Sequence, residues 1–196
     1  MLFPHKGLAR LRYFRNIVYS LWIEKAFGKH DGGIYVEPPV YLRGGEYIFV
    51  GARFSSLARL RLECWDEYAG VRYHPTLRIG KDVHLNYGTH IGCINCVIIG
   101  DNVLIGSNVL ITDHQHGSMT FLDMLLPPAT RKLISKGPVV IGDGVWIGEN
   151  AVVMPNVTIA NGSIVGANSV VTKSFGPFSL IAGVPAKLIR QIGPEG

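Results

Sequence analysis

Cysteine, acidic residues and long apolar runs are all scarce in this chain. Its three cysteines, Cys64, Cys93 and Cys96, are too few for a disulfide framework. The lone C-x-x-C at 93–96 offers neither the four ligands of a structural zinc site nor the βαβ setting of a redox motif, so these residues read as packing. No apolar stretch is long enough to span a bilayer and there is no secretory signal with a long apolar core, which predicts a cytoplasmic, reducing location. Charged residues make up only 17% and hydrophobic ones 47%, which argues against disorder and for one well-buried core. The net charge of +5 is dispersed except near the start (Lys6, Arg10, Arg12, Arg15). A phosphate-bearing ligand or an anionic membrane surface fits it as well as nucleic acid does, and no nucleic-acid partner is expected.

What the chain has in abundance is a six-residue clock. Aliphatic residues mark the beats: Ile79, Leu85, Ile91; then Ile99, Ile105, Ile111; then Ile141, Ile147, Val153, Ile159, Val165 and Val171. Glycine follows many beats (Gly80, Gly92, Gly100, Gly106, Gly142, Gly148, Gly166), and a small or β-branched residue often precedes them by two places. A helix repeats at about 3.6 residues and a strand alternates at about 2, so a sustained period of six predicts a coil of short flat strands, a parallel β-helix. Three six-residue faces make a turn, which stacks residues about eighteen apart at roughly 4.8 Å. The glycines are expected at sharp corners, where they tolerate φ values that side chains forbid.

The fold class expected is all-β, with an N-terminal helical segment over 1–33, the β-helix over 34–180 and a cap over 181–196 that includes a short helix. A helix over about 7–28 carries Leu8, Leu11, Phe14, Ile17, Val18, Leu21 and Trp22 on one side. Packing of that stripe on the coil is the preferred reading, and attachment to a membrane surface the alternative. Irregular early coils run from 34 to 73, and a two-residue slip between Ile91 and Ile99 predicts a bulge. The clock stops for a polar, proline-bearing excursion over 113–138, a length that is usually functional.

That excursion opens with Thr112-Asp113-His114-Gln115-His116-Gly117. A histidine titrating near neutrality can take a proton from a hydroxyl and pass it to a leaving group, so this is the expected catalytic spot. Two loop histidines satisfied by backbone carbonyls would give the same pattern without chemistry.

Period and loop together resemble the hexapeptide-repeat acyltransferases, whose β-helix is left-handed. The motifs that carry the resemblance are Ile99-Gly100-Asp101-Asn102-Val103-Leu104-Ile105, Val145-Trp146-Ile147-Gly148, Gly166 through Lys173, and Ala182-Gly183-Val184-Pro185-Ala186-Lys187. Within the family the chain is most similar to sugar O-acetyltransferases of the galactoside and maltose group, and its Asp-His-Gln-His-Gly run to members acting on surface polysaccharides such as lipopolysaccharide O-antigen.

The resemblance implies a homotrimer using acetyl-CoA, with His116 as catalytic base and His114 as runner-up. It implies an acceptor pocket at Asn86 and Asp113, and a CoA groove at Trp146, Gly148, Ala167, Thr172, Lys173, Lys187 and Arg190. No resident metal is implied. The bulge here reads Gly92-Cys93-Ile94-Asn95-Cys96 where the galactoside enzyme is acidic, which makes a larger or lipid-linked sugar the more plausible acceptor. Two alternatives stay open: a γ-class carbonic anhydrase-like metalloenzyme on the same scaffold, and a non-enzymatic β-helix scaffold.

Overall fold

The computed structural model describes residues 5–193; residues 1–4 of the N-terminal segment and 194–196 of the cap lie outside the described residues. Three sheets of six, eight and six strands form the sides of a prism. The chain visits them in rotation, as in Thr76–Ile79, His84–Leu85 and His90–Cys93, before returning to the first side at Cys96–Ile99. Every rung between successive coils is parallel, and beat stacks on beat: Leu85 on Ile105, Ile105 on Ile147, Ile147 on Val165. These residues are buried in one continuous core. His84 and His90 lie on different sides. The irregular early segment already winds as coil, from Lys29–His30 and Ile48–Val50 onward, so coil begins within the segment expected to be helical.

Structure corrects the reason given for the glycines. Those that follow the beats do not adopt positive φ; many corners that do are occupied by Asn102, Asn108, Asn150, Asn156 and Asn168. Asparagine tolerates that region because its short side chain bonds locally. The beat glycines answer a contact instead. A Cβ on Gly106 would stand 2.6 Å from the Glu149 backbone nitrogen, and one on Gly148 2.5 Å from that of Ala167. Neighbouring coils therefore meet there with no room for a methyl group.

The C-terminal cap is a second correction. In place of a short helix, Ser179–Gly183 and Ala186–Gln191 form an antiparallel hairpin that extends the eight-stranded side. Gly183, at φ 105°, reverses the chain. The strand that follows pairs with backbone groups of the last coil that a helix would leave as an open edge.

The N-terminal helix α1 (His5–Ile23) is also present with an unexpected orientation. Two of the residues that face the coil are polar: Asn16 donates from Nδ2 to the Tyr35 hydroxyl at 3.0 Å, and Ser20 Oγ accepts from the Val36 backbone N–H at 2.8 Å. Asn16, Ser20 and Ile23 are buried, while Leu8, Leu11, Phe14, Val18, Leu21 and Trp22 are exposed. The preferred reading, that the apolar stripe packs on its own coil, is overturned.

The excursion is tied down. Its base is a two-stranded antiparallel sheet, His114–His116 with Leu133–Ser135, and a one-turn helix α2 (Phe121–Met124) lies at its tip. A small hairpin, Glu67–Tyr68 with Val71–Arg72, leaves the coil beside it. Tyr68 donates to the Ala129 carbonyl at 2.7 Å and Tyr73 to the Leu133 carbonyl at 3.1 Å, while the Leu133 amide donates back to the Tyr73 hydroxyl at 2.9 Å. Tyr73→Phe strands that buried amide at a cost of about 1 kcal/mol. Hydrogen exchange at Leu133 is expected to speed up about fivefold, and an unchanged rate would show that other contacts hold the loop.

Candidate active site

The two departures from the period meet in space. The slip at 93–95 makes a corner whose backbone amides point inward, and Asp113, the first residue of the excursion, fills it. Its carboxylate accepts from the amides of Ile94 at 3.0 Å, Asn95 at 2.8 Å and Cys96 at 2.8 Å. It also accepts from Nδ1 of His114 at 2.9 Å. Burial by itself would raise its pKa, but the bonds from His114 and from the Ile94 and Asn95 amides outweigh that and hold the carboxyl below its ordinary value. Asp113 is 0% exposed. It supports the corner and the His114 ring, and none of its surface is open to an acceptor in this chain.

Alternation along the strand His114–His116 projects both rings to one side. They line a cavity of about 180 Å³ with Arg61, Glu63, Trp65, Tyr68, His90 and Gly92. His114 is mostly buried; His116 is exposed and meets Tyr68 edge-on, with ring centroids 5.3 Å apart. Gly92 makes room for the first ring, since a Cβ there would stand 3.1 Å from His114 Cε1. Across the cavity Glu63, 3% exposed, accepts from Arg61 at 2.9 Å and pairs with His90 Nε2 at 2.8 Å. The Arg43 guanidinium stacks 3.6 Å over Trp65. This cavity thus offers imidazoles, a buried acid, a cation and two aromatic faces within a small volume. Arg61, Glu63, Trp65 and His90 carry no motif in sequence. Arg61, Glu63 and Trp65 lie on coils whose spacing is too irregular to show which side a residue faces, and His90, one place before the beat Ile91, has its partner Glu63 on that irregular stretch.

A second depression, of about 500 Å³, is lined by Asn86, Gly106, Ser107, Trp146, Gly148, Ile164, Gly166 and Ala167 among others. The sequence-derived groove residues Trp146, Gly148 and Ala167 are therefore together, and Asn86, expected at the acceptor, lies with them rather than with the histidines. Asn86 is not at positive φ, and its Nδ2 is committed to the Ile105 carbonyl at 3.1 Å. Thr172, Lys173, Lys187 and Arg190 are exposed but do not line this depression; Lys173 instead lies 5.6 Å over the Phe175 ring. The cysteines are free, and Cys93 stacks on Cys64. Hydrogen bonding with Cys64 and burial push the Cys93 thiol up, so it stays protonated.

The profile of the bacterial transferase hexapeptide family (six repeats) matches residues 138–173, and that of the hexapeptide repeat of succinyl-transferase matches residues 96–112. The chain is 42% identical over 161 residues to an Escherichia coli K12 protein named as the lipopolysaccharide biosynthesis O-acetyl transferase WbbJ, covering 80% of this chain and 78% of that protein. A maltose O-acetyltransferase structure from Clostridium difficile 630 covers 96% of this chain and 84% of its own at 26% identity and a TM-score of 0.63. A galactoside acetyltransferase structure in complex with coenzyme A covers 88% and 69% at 32% identity and a TM-score of 0.59. The period of the coil and these similarities place the chain in one class of β-helix, that of the hexapeptide acyltransferases. The chain belongs to the hexapeptide-repeat acetyltransferases, and its coil has the left-handed winding of that fold.

Desolvation lowers the pKa of His90 below 6.5; the bond to Glu63 raises it by less, and Arg61 lowers it further. As pH falls the unfolded chain takes up this proton first. His90 thus contributes stability that is complete above pH 6.5 and is lost as pH falls through its folded pKa. An NMR titration is expected to place its midpoint below 6.5, and Glu63→Gln to lower it further. A midpoint above that value would mean that Glu63 outweighs burial.

Proposed function

We propose that this protein is an acetyl-CoA-dependent O-acetyltransferase that modifies a sugar hydroxyl of a surface polysaccharide or its precursor. The observation that carries this reading is the pair of histidines held side by side on a fixed hairpin base, facing a polar, aromatic-lined cavity. Similarity to WbbJ supports the polysaccharide acceptor. The cavity's lining supports a sugar, since aromatic faces take apolar ring edges while Arg61 and Glu63 bond to hydroxyls. Cytoplasmic residence accords with the use of acetyl-CoA.

His116 is the base. It removes the acceptor proton as the oxygen attacks the thioester carbonyl; the new C–O bond forms, the C–S bond breaks, and the imidazolium returns its proton to the departing thiolate. His114, with its Nδ1–H on a buried carboxylate that fixes ring and tautomer, is the second reading, favoured by that contact. The 500 Å³ depression suits the cosubstrate. Glycines and Ala167 form a wall that a thin pantetheine arm can approach, and Trp146, 50% exposed, flanks it. Thr172, Lys173, Lys187 and Arg190 serve the nucleotide end, the cations meeting phosphate.

Histidines and depression lie at opposite edges of one side of the prism, the first after Leu110–Thr112 and the second around the turn at Asn86. One chain therefore does not bring base and thioester together. A homotrimer does, by setting the excursion of one copy against the depression of the next, which also places Asn86 at the acceptor and covers the exposed Leu104, Phe121, Leu122 and Leu125.

His116→Ala is expected to lower turnover by roughly 10² to 10⁴ with little change in CoA affinity, measured as acceptor-dependent thiol release. His114→Ala then keeps most of the turnover. A deep drop for His114→Ala, with His116→Ala active, would move the base to His114. Mass spectrometry of surface glycans from cells with and without the protein is expected to show one acetyl group missing from one sugar. Unaltered glycans would end the polysaccharide assignment.

A further inference from the structure

Helix α1 turns the usual amphipathic arrangement inside out. A helix at the surface of a folded domain ordinarily buries its apolar stripe. Here the buried line is Asn16, Ser20 and Ile23, and its polar members are bonded to Tyr35 and to the Val36 backbone. These bonds fix the rotation of the helix about its axis, so the outward stripe is not free to roll back onto the coil. At about 100° per residue, Leu8, Leu11, Phe14, Val18, Leu21 and Trp22 project within an arc of roughly 140°. Leu11 is 74% exposed and Trp22 67%. No described helix is long and apolar enough to cross a membrane.

Charge selects the occupant. The helix sequence contains no aspartate or glutamate, and Arg10, Arg12 and Arg15 are exposed and free of ion pairs among the described residues. On the same projection Arg10 and Arg12 border the two edges of the arc, while Arg15 falls within it beside Leu8, its guanidinium donating to Asn16 Oδ1 at 2.8 Å. Cations on the shoulders of an outward apolar arc match an anionic surface with an apolar interior. The guanidinium groups then stay at headgroup level while the leucines, Phe14 and Trp22 enter the acyl boundary. A second copy of this chain docked stripe to stripe is a poorer match, since a symmetric contact there would bring the arginines of one helix against those of the other.

We propose that α1 is an in-plane anchor that docks the protein on a membrane surface rich in anionic lipid, through its outward Leu8–Trp22 stripe. The proposal is independent of the acyl acceptor and of the identity of the catalytic base.

The test uses the full-length protein and flotation with vesicles of phosphatidylcholine alone or of equal parts phosphatidylcholine and phosphatidylglycerol. Binding is expected to the mixed vesicles only, to fall with added salt, and to shift tryptophan emission to the blue in the wild type but not in Trp22→Phe. Each cation near an anionic surface contributes roughly fivefold, so replacing Arg10, Arg12 and Arg15 by Gln is expected to weaken binding by about a hundredfold. Phe14→Glu is expected to abolish the blue shift. All these positions are exposed, and circular dichroism with thermal melting checks that the variants keep their fold. Equal binding to both vesicle types, or no binding to either, overturns the proposal. It is likewise overturned if Phe14→Glu lowers the mass in sedimentation equilibrium, because the stripe would then be a contact between copies, or if the helix instead captures an acidic protein without binding vesicles.

Discussion

Close contact between stacked coils governs this molecule. Each turn of the prism donates its backbone N–H groups to the next, as from Gly100 to Ile141 and from Gly142 to Ile159 at 2.8 Å. At the corners the coils approach until a methyl group no longer fits. Inside, the rungs align Leu85, Ile105, Ile147 and Val165 in a single column. A scaffold held this tightly leaves little freedom except where the period breaks. The two histidines and the cavity they line fall at those breaks.

The corner at 93–96 and the excursion at 113–138 show how two irregularities make one feature. A corner with two extra residues exposes three amides to the interior, and such donors need a partner when buried. The carboxylate of Asp113 supplies it, and in doing so anchors the strand that carries both histidines. The tyrosines of the neighbouring segment then fasten the far strand of the excursion. Both strands at the base of the excursion are thereby tied to the coil.

The N-terminal helix follows a different logic. Its contact with the coil combines hydrogen bonds of Asn16 and Ser20 with burial of Ile23, and most of its apolar side chains are turned outward. Net positive charge concentrates on the same element. In the acetyltransferase reading, such an anchor would hold the catalytic prism beside a surface where lipid-linked sugars are found.

Period and composition were enough to determine the parallel coil, the column of beat residues, the long excursion and the histidine pair at its mouth. Each of these depends on spacing along the chain, and spacing is visible in a sequence. The reason for the glycines, the hairpin at the C-terminus, the role of Asp113, the outward face of α1 and the Glu63–His90 pair were decided only by tertiary structure. All five depend on which atoms approach from another coil. Asp113 and Ile94 are neighbours because one extra corner and one extra loop fall on the same edge of the prism, a coincidence in space that no periodicity along the chain encodes.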